Sequence, residues 1–175
     1  DEVETIKKKA EDLLRDSKRK TDELTKRMEE LLERSKEDSE RLIRRLRELL
    51  ERLRRRGLPE EVLTRIEKTI RDIERELEKV DRDLKREIER LKKELEEVNR
   101  RLEEEIRKLV ELLRRGDVRE EDVDREVKRL VDESKKIIER VEEDVKRLIR
   151  ESEKKSRDVE RRVEELERKA REDER

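Results

Sequence analysis

The strongest constraint on this chain is a repeat. Between residues 62 and 113 the apolar residues read Val62, Ile66, Ile70, Ile73, Leu77, then Val80, Leu84, Ile88, Leu91, Leu95, then Val98, Leu102, Ile106, Leu109, Leu113. One five-residue pattern is written three times, each copy 18 residues after the last. An α-helix completes five turns in that length at about 3.6 residues per turn. The stripe therefore runs along one helix face without drifting, for roughly 80 Å at about 1.5 Å per residue. A seven-residue repeat would impose a left-handed supercoil and an eleven-residue repeat a right-handed one. This spacing predicts nearly straight helices with little supercoil.

The outer thirds carry the same spacing. Ile6, Leu24 and Leu42 share one slot, as do Ala10, Met28 and Leu46, then Leu13, Leu31 and Leu49, then Leu14, Leu32 and Leu50. The last third repeats as Val123, Val141, Val159; Val127, Val145, Val163; and Leu130, Leu148, Leu166. The first and last thirds match at a constant offset of 117, as in Leu13 with Leu130, which places like residues at like depth.

The only two Gly and the only Pro separate the thirds. Gly57 suits the left-handed residue after a helix end, Leu58 supplies the hydrophobic contact that follows, and Pro59 fits the first turn of the next helix. Gly116 repeats this, and Asp117 with Glu120 has the spacing of a capping box, as does Asp1 with Glu4. Helices are expected at about 2–56, 59–115 and 118–174, with loops at 57–58 and 116–117. Loops this short force antiparallel neighbours. The expected fold is all-α: one long antiparallel up-down-up three-helix bundle covering residues 1–175.

Composition agrees with this reading only because of the repeat. Charged residues make up 63% of the chain, a level that in unpatterned sequence signals disorder. Here 55 basic residues nearly cancel 56 acidic ones, and the apolar residues keep helical spacing throughout. Glu, Lys, Arg and Leu in that pattern are the signature of long helices and coiled coils.

The irregularities are polar residues in apolar slots. Ser17 and Ser35 fall near the centre of the first stripe, and Ser134 and Ser152 at the centre of the third. The 117 offset pairs Ser17 with Ser134, Ser35 with Ser152 and Ser39 with Ser156, and sets Thr21 opposite Ile138. Counting back through the loop puts Asn99 near the first pair and Asp81 near the second. Two polar layers are expected, Ser17–Asn99–Ser134 and Ser35–Asp81–Ser152. The third member of that slot, Leu63, faces Leu53 and Ala170 in an apolar layer. Asn99 and Asp81 lie at the edge of their stripe, about 60° from its centre at 100° per residue, within reach of water. Three roles remain open. The Ser can be small spacers whose hydroxyls bond back to the preceding turn. They can fix register, since a helix slipped by one repeat would leave buried polar groups unpaired at about 1–3 kcal/mol each. They can weaken the core deliberately, so that one helix is displaceable.

Missing residue types remove most chemistry. The chain has no Cys, no His and no aromatic residue. That excludes thiolate nucleophiles and Cys- or His-ligated metals, removes the commonest general base, and leaves no platform for stacking a base or sugar. The acidic stretch at 102–108 lacks the His that a di-iron bundle requires. No phosphate loop, nucleophile elbow or calcium loop occurs. Catalytic, cofactor-binding and metal-binding residues are all expected to be absent. Apolar residues never run more than two in a row, so no membrane span is expected, and the opening residues show no signal-peptide pattern. Residues 41–57 hold eight Arg against two Glu. This can be read as a phosphate-binding patch or, more economically, as cations complementing a helix C-terminus. No nucleic-acid partner is expected. A monomer is expected, with self-association open through Ile43, Val110, Leu112 and Ile137 beside the stripes.

The near-ideal repeat, the equal helices, the connections "GLPEE" and "GDVREED", and a surface built almost wholly of Glu, Asp, Lys and Arg resemble a de novo designed, parametrically generated helical bundle. The resemblance covers the whole chain. It implies an idealised, thermostable structural scaffold with no natural biochemical function, no cofactor and no required partner, suited to recombinant cytoplasmic expression. The Ser-rich slots depart from the all-apolar core of that class. They leave room for a hydrogen-bond-network or switch design. The main alternative to a scaffold is an interaction module, either one component of a designed oligomer or a helix-displacement switch, which the flanking Ile43, Val110, Leu112 and Ile137 keep open.

Overall fold

The structure, a computed structural model, describes residues 2–173. Three α-helices pack against one another: α1 (Glu2–Arg55), α2 (Glu60–Arg114) and α3 (Glu120–Asp173). The proposed cap at Asp1 and the last residue expected in α3, Glu174, lie outside the described residues.

The connections are longer than the sequence suggests, and the difference has a local cause. Gly57 and Gly116 adopt φ of 68° and 75°, the left-handed conformation that only Gly enters without steric cost. The N–H of Gly116 donates to the carbonyl of Leu113 at 3.1 Å, and that of Asp117 donates to Leu112 at 3.0 Å. This pair of bonds is a Schellman motif. Asp117 thus belongs to the end of α2, and because α3 begins only at Glu120 it does not hold the cap position that the capping-box spacing implies. The residue at the start of α3 is Arg119, whose carbonyl accepts from the N–H of Val123 at 3.1 Å. Val118, between them, packs its side chain on the core. At the other connection the carbonyl of Pro59 accepts from Val62 at 3.0 Å and Leu63 at 3.1 Å. Pro59 thus occupies the cap position just before the first turn of α2. Its missing N–H leaves no helical bond unmade there.

The packing resolves into two compact units, each drawing on all three helices: Asp1–Met28 with Ile88–Lys146, and Glu29–Glu87 with Arg147–Arg175. In the first unit Glu4 pairs with Arg114 and Ser17 with Asn99, so α1 and α2 run antiparallel. In the second, Ser35 meets Asp81 and Arg54 meets Glu67, with the same sense. There Asp38 meets Ser156 and Arg45 meets Glu167, so α1 and α3 run parallel. The Asp38–Ser156 contact spans 118 residues, one away from the offset read in the sequence.

Each unit has an aliphatic core. In the first it gathers Ala10, Leu102, Ile106, Val123 and Val127. In the second it gathers Leu42, Leu46, Leu53, Ile73 and Val163, with Leu63 and Ala170 buried in the same cluster as Leu53. The slots are not equally deep. Val123, Val141 and Val159 are all buried, whereas Leu14, Leu32 and Leu50 are all half-buried. Val62, Val80 and Leu109 are half-buried too, and Leu63 and Val110 beside two of them are buried. The buried face of α2 is therefore broader than the five-slot pattern. Of the apolar residues flanking the stripes, Val110 is buried and Ile43, Leu112 and Ile137 are half-buried. No large hydrophobic side chain is exposed among the described residues.

Candidate functional site

The features that set this chain apart from a uniform aliphatic bundle are its polar side chains on apolar faces. In the first unit Ser17 Oγ donates to Asn99 Oδ1 at 3.1 Å, and Asn99 Nδ2 donates to Thr21 Oγ1 at 2.7 Å. Thr21 then donates to the Lys18 carbonyl at 2.9 Å. Both ends of the Asn99 amide are thus engaged by α1. Ser134 takes no part: it is 8% exposed and its hydroxyl has no hydrogen-bond partner among the described residues. The expected three-membered layer is therefore a contact between α1 and α2, extended along α1 to Thr21. The reason is angular. Asn99 sits on the flank of α2 that faces α1, while Ser134 lines the α2–α3 seam beside Leu102 and Leu130.

The second unit differs in chemistry. Ser35 Oγ donates to Asp81 Oδ1 at 2.8 Å. A carboxylate is acceptor-only, so Asp81 cannot pass a hydrogen bond on to Ser39 as Asn99 does to Thr21. Ser152 does not join this contact, and Ser39 and Ser156 are not bonded to each other. Instead Ser156 Oγ donates to Asp38 Oδ2 at 3.3 Å. Two participants, Thr21 and Asp38, were not among the expected layer residues. Thr21 shares its slot with Ser39, which is the sequence signal for it. Asp38 has no such signal, being one residue off the apolar slots.

The grooves follow the repeat as well. A groove of about 300 Å³ on the α2–α3 seam is lined by Leu102, Leu130 and Ser134. The residues one repeat along, Leu84, Leu148 and Ser152, line another of about 90 Å³. Those a further repeat along, Ile66, Leu166 and Ala170, line one of about 540 Å³. Each forms where α3 places a small residue. No group of three or more carboxylates able to hold a metal occurs among the described residues. No helix is long and apolar enough to cross a membrane among them.

The Arg-rich end of α1 meets acidic flanks of its neighbours. Arg45 pairs with Glu167 at 2.5 Å and Glu160 at 3.6 Å, Arg41 with Glu160 at 3.4 Å, and Arg54 with Glu67 at 2.5 Å. Exposed pairs of this kind contribute about 0–1 kcal/mol each, so they add little to stability.

Two carboxylates near the start of α3 are perturbed in opposite directions. A hydrogen bond with the Glu2 carboxyl, then partial burial, then the Glu2 charge raise Glu120 above its usual 4.5. Hydrogen bonding to Arg129 holds Glu126 below the same value. A raised folded-state pKa means that stability is present below the unfolded value and is lost as pH rises through the folded one. For Glu126 the sign reverses. Glu120→Gln removes the first contribution. Relative to the parent chain, its denaturant midpoint is expected to rise between about pH 3 and about pH 7, the range spanning an ordinary glutamate. A pH-independent difference would rule out the Glu2–Glu120 coupling.

Comparison with known proteins finds no matching family model, no matching curated protein and no matching solved structure.

Proposed function

We propose that this chain is a structural scaffold: an idealised, designed three-helix bundle whose sequence serves its own folding and no catalysis. The observation that carries the reading is that the apolar repeat leaves no exposed large side chain among the described residues. Its Leu, Ile and Val slots are buried or half-buried. A protein that docks partners through an apolar surface exposes a contiguous patch, commonly of several hundred Å². The polar contacts at Asn99 and Asp81 fit a role in register. Slipping α2 by one repeat would exchange an amide that donates to Thr21 for a carboxylate that cannot donate.

The second reading is a module that associates with another chain or releases one helix to it. The recurring α2–α3 grooves favour it. Light scattering coupled to size-exclusion chromatography tests both. The mass of one chain, 21.7 kDa, at all concentrations supports the scaffold, together with cooperative unfolding at high temperature. A dimer or larger species favours the module and overturns the scaffold reading.

A further inference from the structure

In the second unit a cavity is lined by Ser35, Ser39, Ser152, Ser156, Asp38 and Lys155, with Leu42, Leu77, Val80 and Val159 completing its wall. It leaves about 10 Å³ for the centre of a water molecule. A water needs about that much room and two to four polar partners. Ser39 is 6% exposed, lines this cavity and has no hydrogen-bond partner for its hydroxyl among the described residues. Buried hydroxyls are nearly always satisfied by protein or by ordered water.

The repeat supplies an internal comparison. One repeat away, Thr21 stands for Ser39 and Ile138 for Ser156. Thr21 is hydrogen-bonded at both its donor and its acceptor side, and Ile138 is buried. The second unit thus lacks a methyl at one position and most of a branched side chain at the other, and it places hydroxyls there instead. We propose that this cavity is a specific binding site for one structural water, accepting a hydrogen bond from Ser39. The remaining partners are at hand. Ser152, whose hydroxyl has no partner among the described residues, has a proton to donate, and Ser35 and Ser156, whose protons go to Asp81 and Asp38, keep oxygen lone pairs for acceptance. The inference does not depend on the scaffold reading, since it concerns one cavity whatever the chain is for.

A crystal structure of the full chain that resolves ordered solvent tests this directly. The expected result is one water about 2.7–3.0 Å from Ser39 Oγ, a normal O–H···O distance, and in contact with at least one of Ser35, Ser152 and Ser156. Ser39 bonded back to the Ser35 carbonyl, with no solvent in the cavity, overturns the proposal. In solution, oxygen-17 relaxation dispersion counts long-lived internal waters. The double variant Ser39→Thr with Ser156→Ile, which imports the first unit's side chains, is expected to hold one fewer and to have a higher denaturant midpoint. An unchanged count in a folded variant overturns it equally. If that variant does not fold, the crystal structure of the parent chain decides.

Discussion

Leu46→Ala is expected to lower the free energy of unfolding by about 2–5 kcal/mol, the range for removing a fully buried Leu and leaving a cavity behind. Leu46 is completely buried, in one cluster with Leu42, Leu49, Leu53, Ile73 and Val163. Rigid, repeat-spaced neighbours on long helices have little freedom to collapse into the space. Leu50, four residues on, belongs to a slot that is half-buried in all three copies. Leu50→Ala should cost less than about 2 kcal/mol, because water already covers part of that side chain. Urea or guanidinium midpoints of the two variants measure the difference. Equal losses would show that the slots are equivalent in energy, contrary to their depth.

The second large effect is expected at Ile138, 2% exposed in the first unit. Ile138→Ser should cost about 3–5 kcal/mol, combining lost aliphatic packing with a hydroxyl that has no partner. Its counterpart one repeat along is already Ser156, half-buried and bonded to Asp38 at 3.3 Å. There Ser156→Ala should change stability by less than about 1 kcal/mol, since it gives up only one long, partly hydrated hydrogen bond. Thermal or denaturant unfolding of both variants checks the pair. A small loss at Ile138 would mean that the first unit hydrates a serine as readily as the second.

Much of the fold was legible because period is a strong signal. Helical spacing and the Gly and Pro breaks placed α1, α2 and α3 within two residues at each described end, and the parallel sense of α1 and α3 followed from two short connections. What was not legible depends on direction at close range. The Asp117–Glu120 spacing is genuine, but Asp117 is drawn into the Schellman end of α2 and α3 begins only at Glu120. Two local rules competed for one residue, and the sequence contains no sign of the winner. The polar layers show the same limit. Periodicity set Ser17, Asn99 and Ser134 at one depth. Whether an amide turns toward α1 or α3 is decided by which flank of α2 carries it, and by the presence of Thr21 one turn away. Asp38 carries no periodic signal, since it lies beside the apolar slots and reaches Ser156 from there.

The all-aliphatic core has a spectroscopic consequence. With no aromatic ring in the chain, no ring current spreads the methyl resonances of Leu, Ile and Val, so a fully packed core gives a crowded, narrow methyl region in a proton spectrum. Near-ultraviolet dichroism and intrinsic fluorescence are silent for the same reason. By the optical and one-dimensional criteria usually applied, the folded chain would resemble a molten globule. Amide exchange and the sharpness of its unfolding transition are the measurements that separate the two.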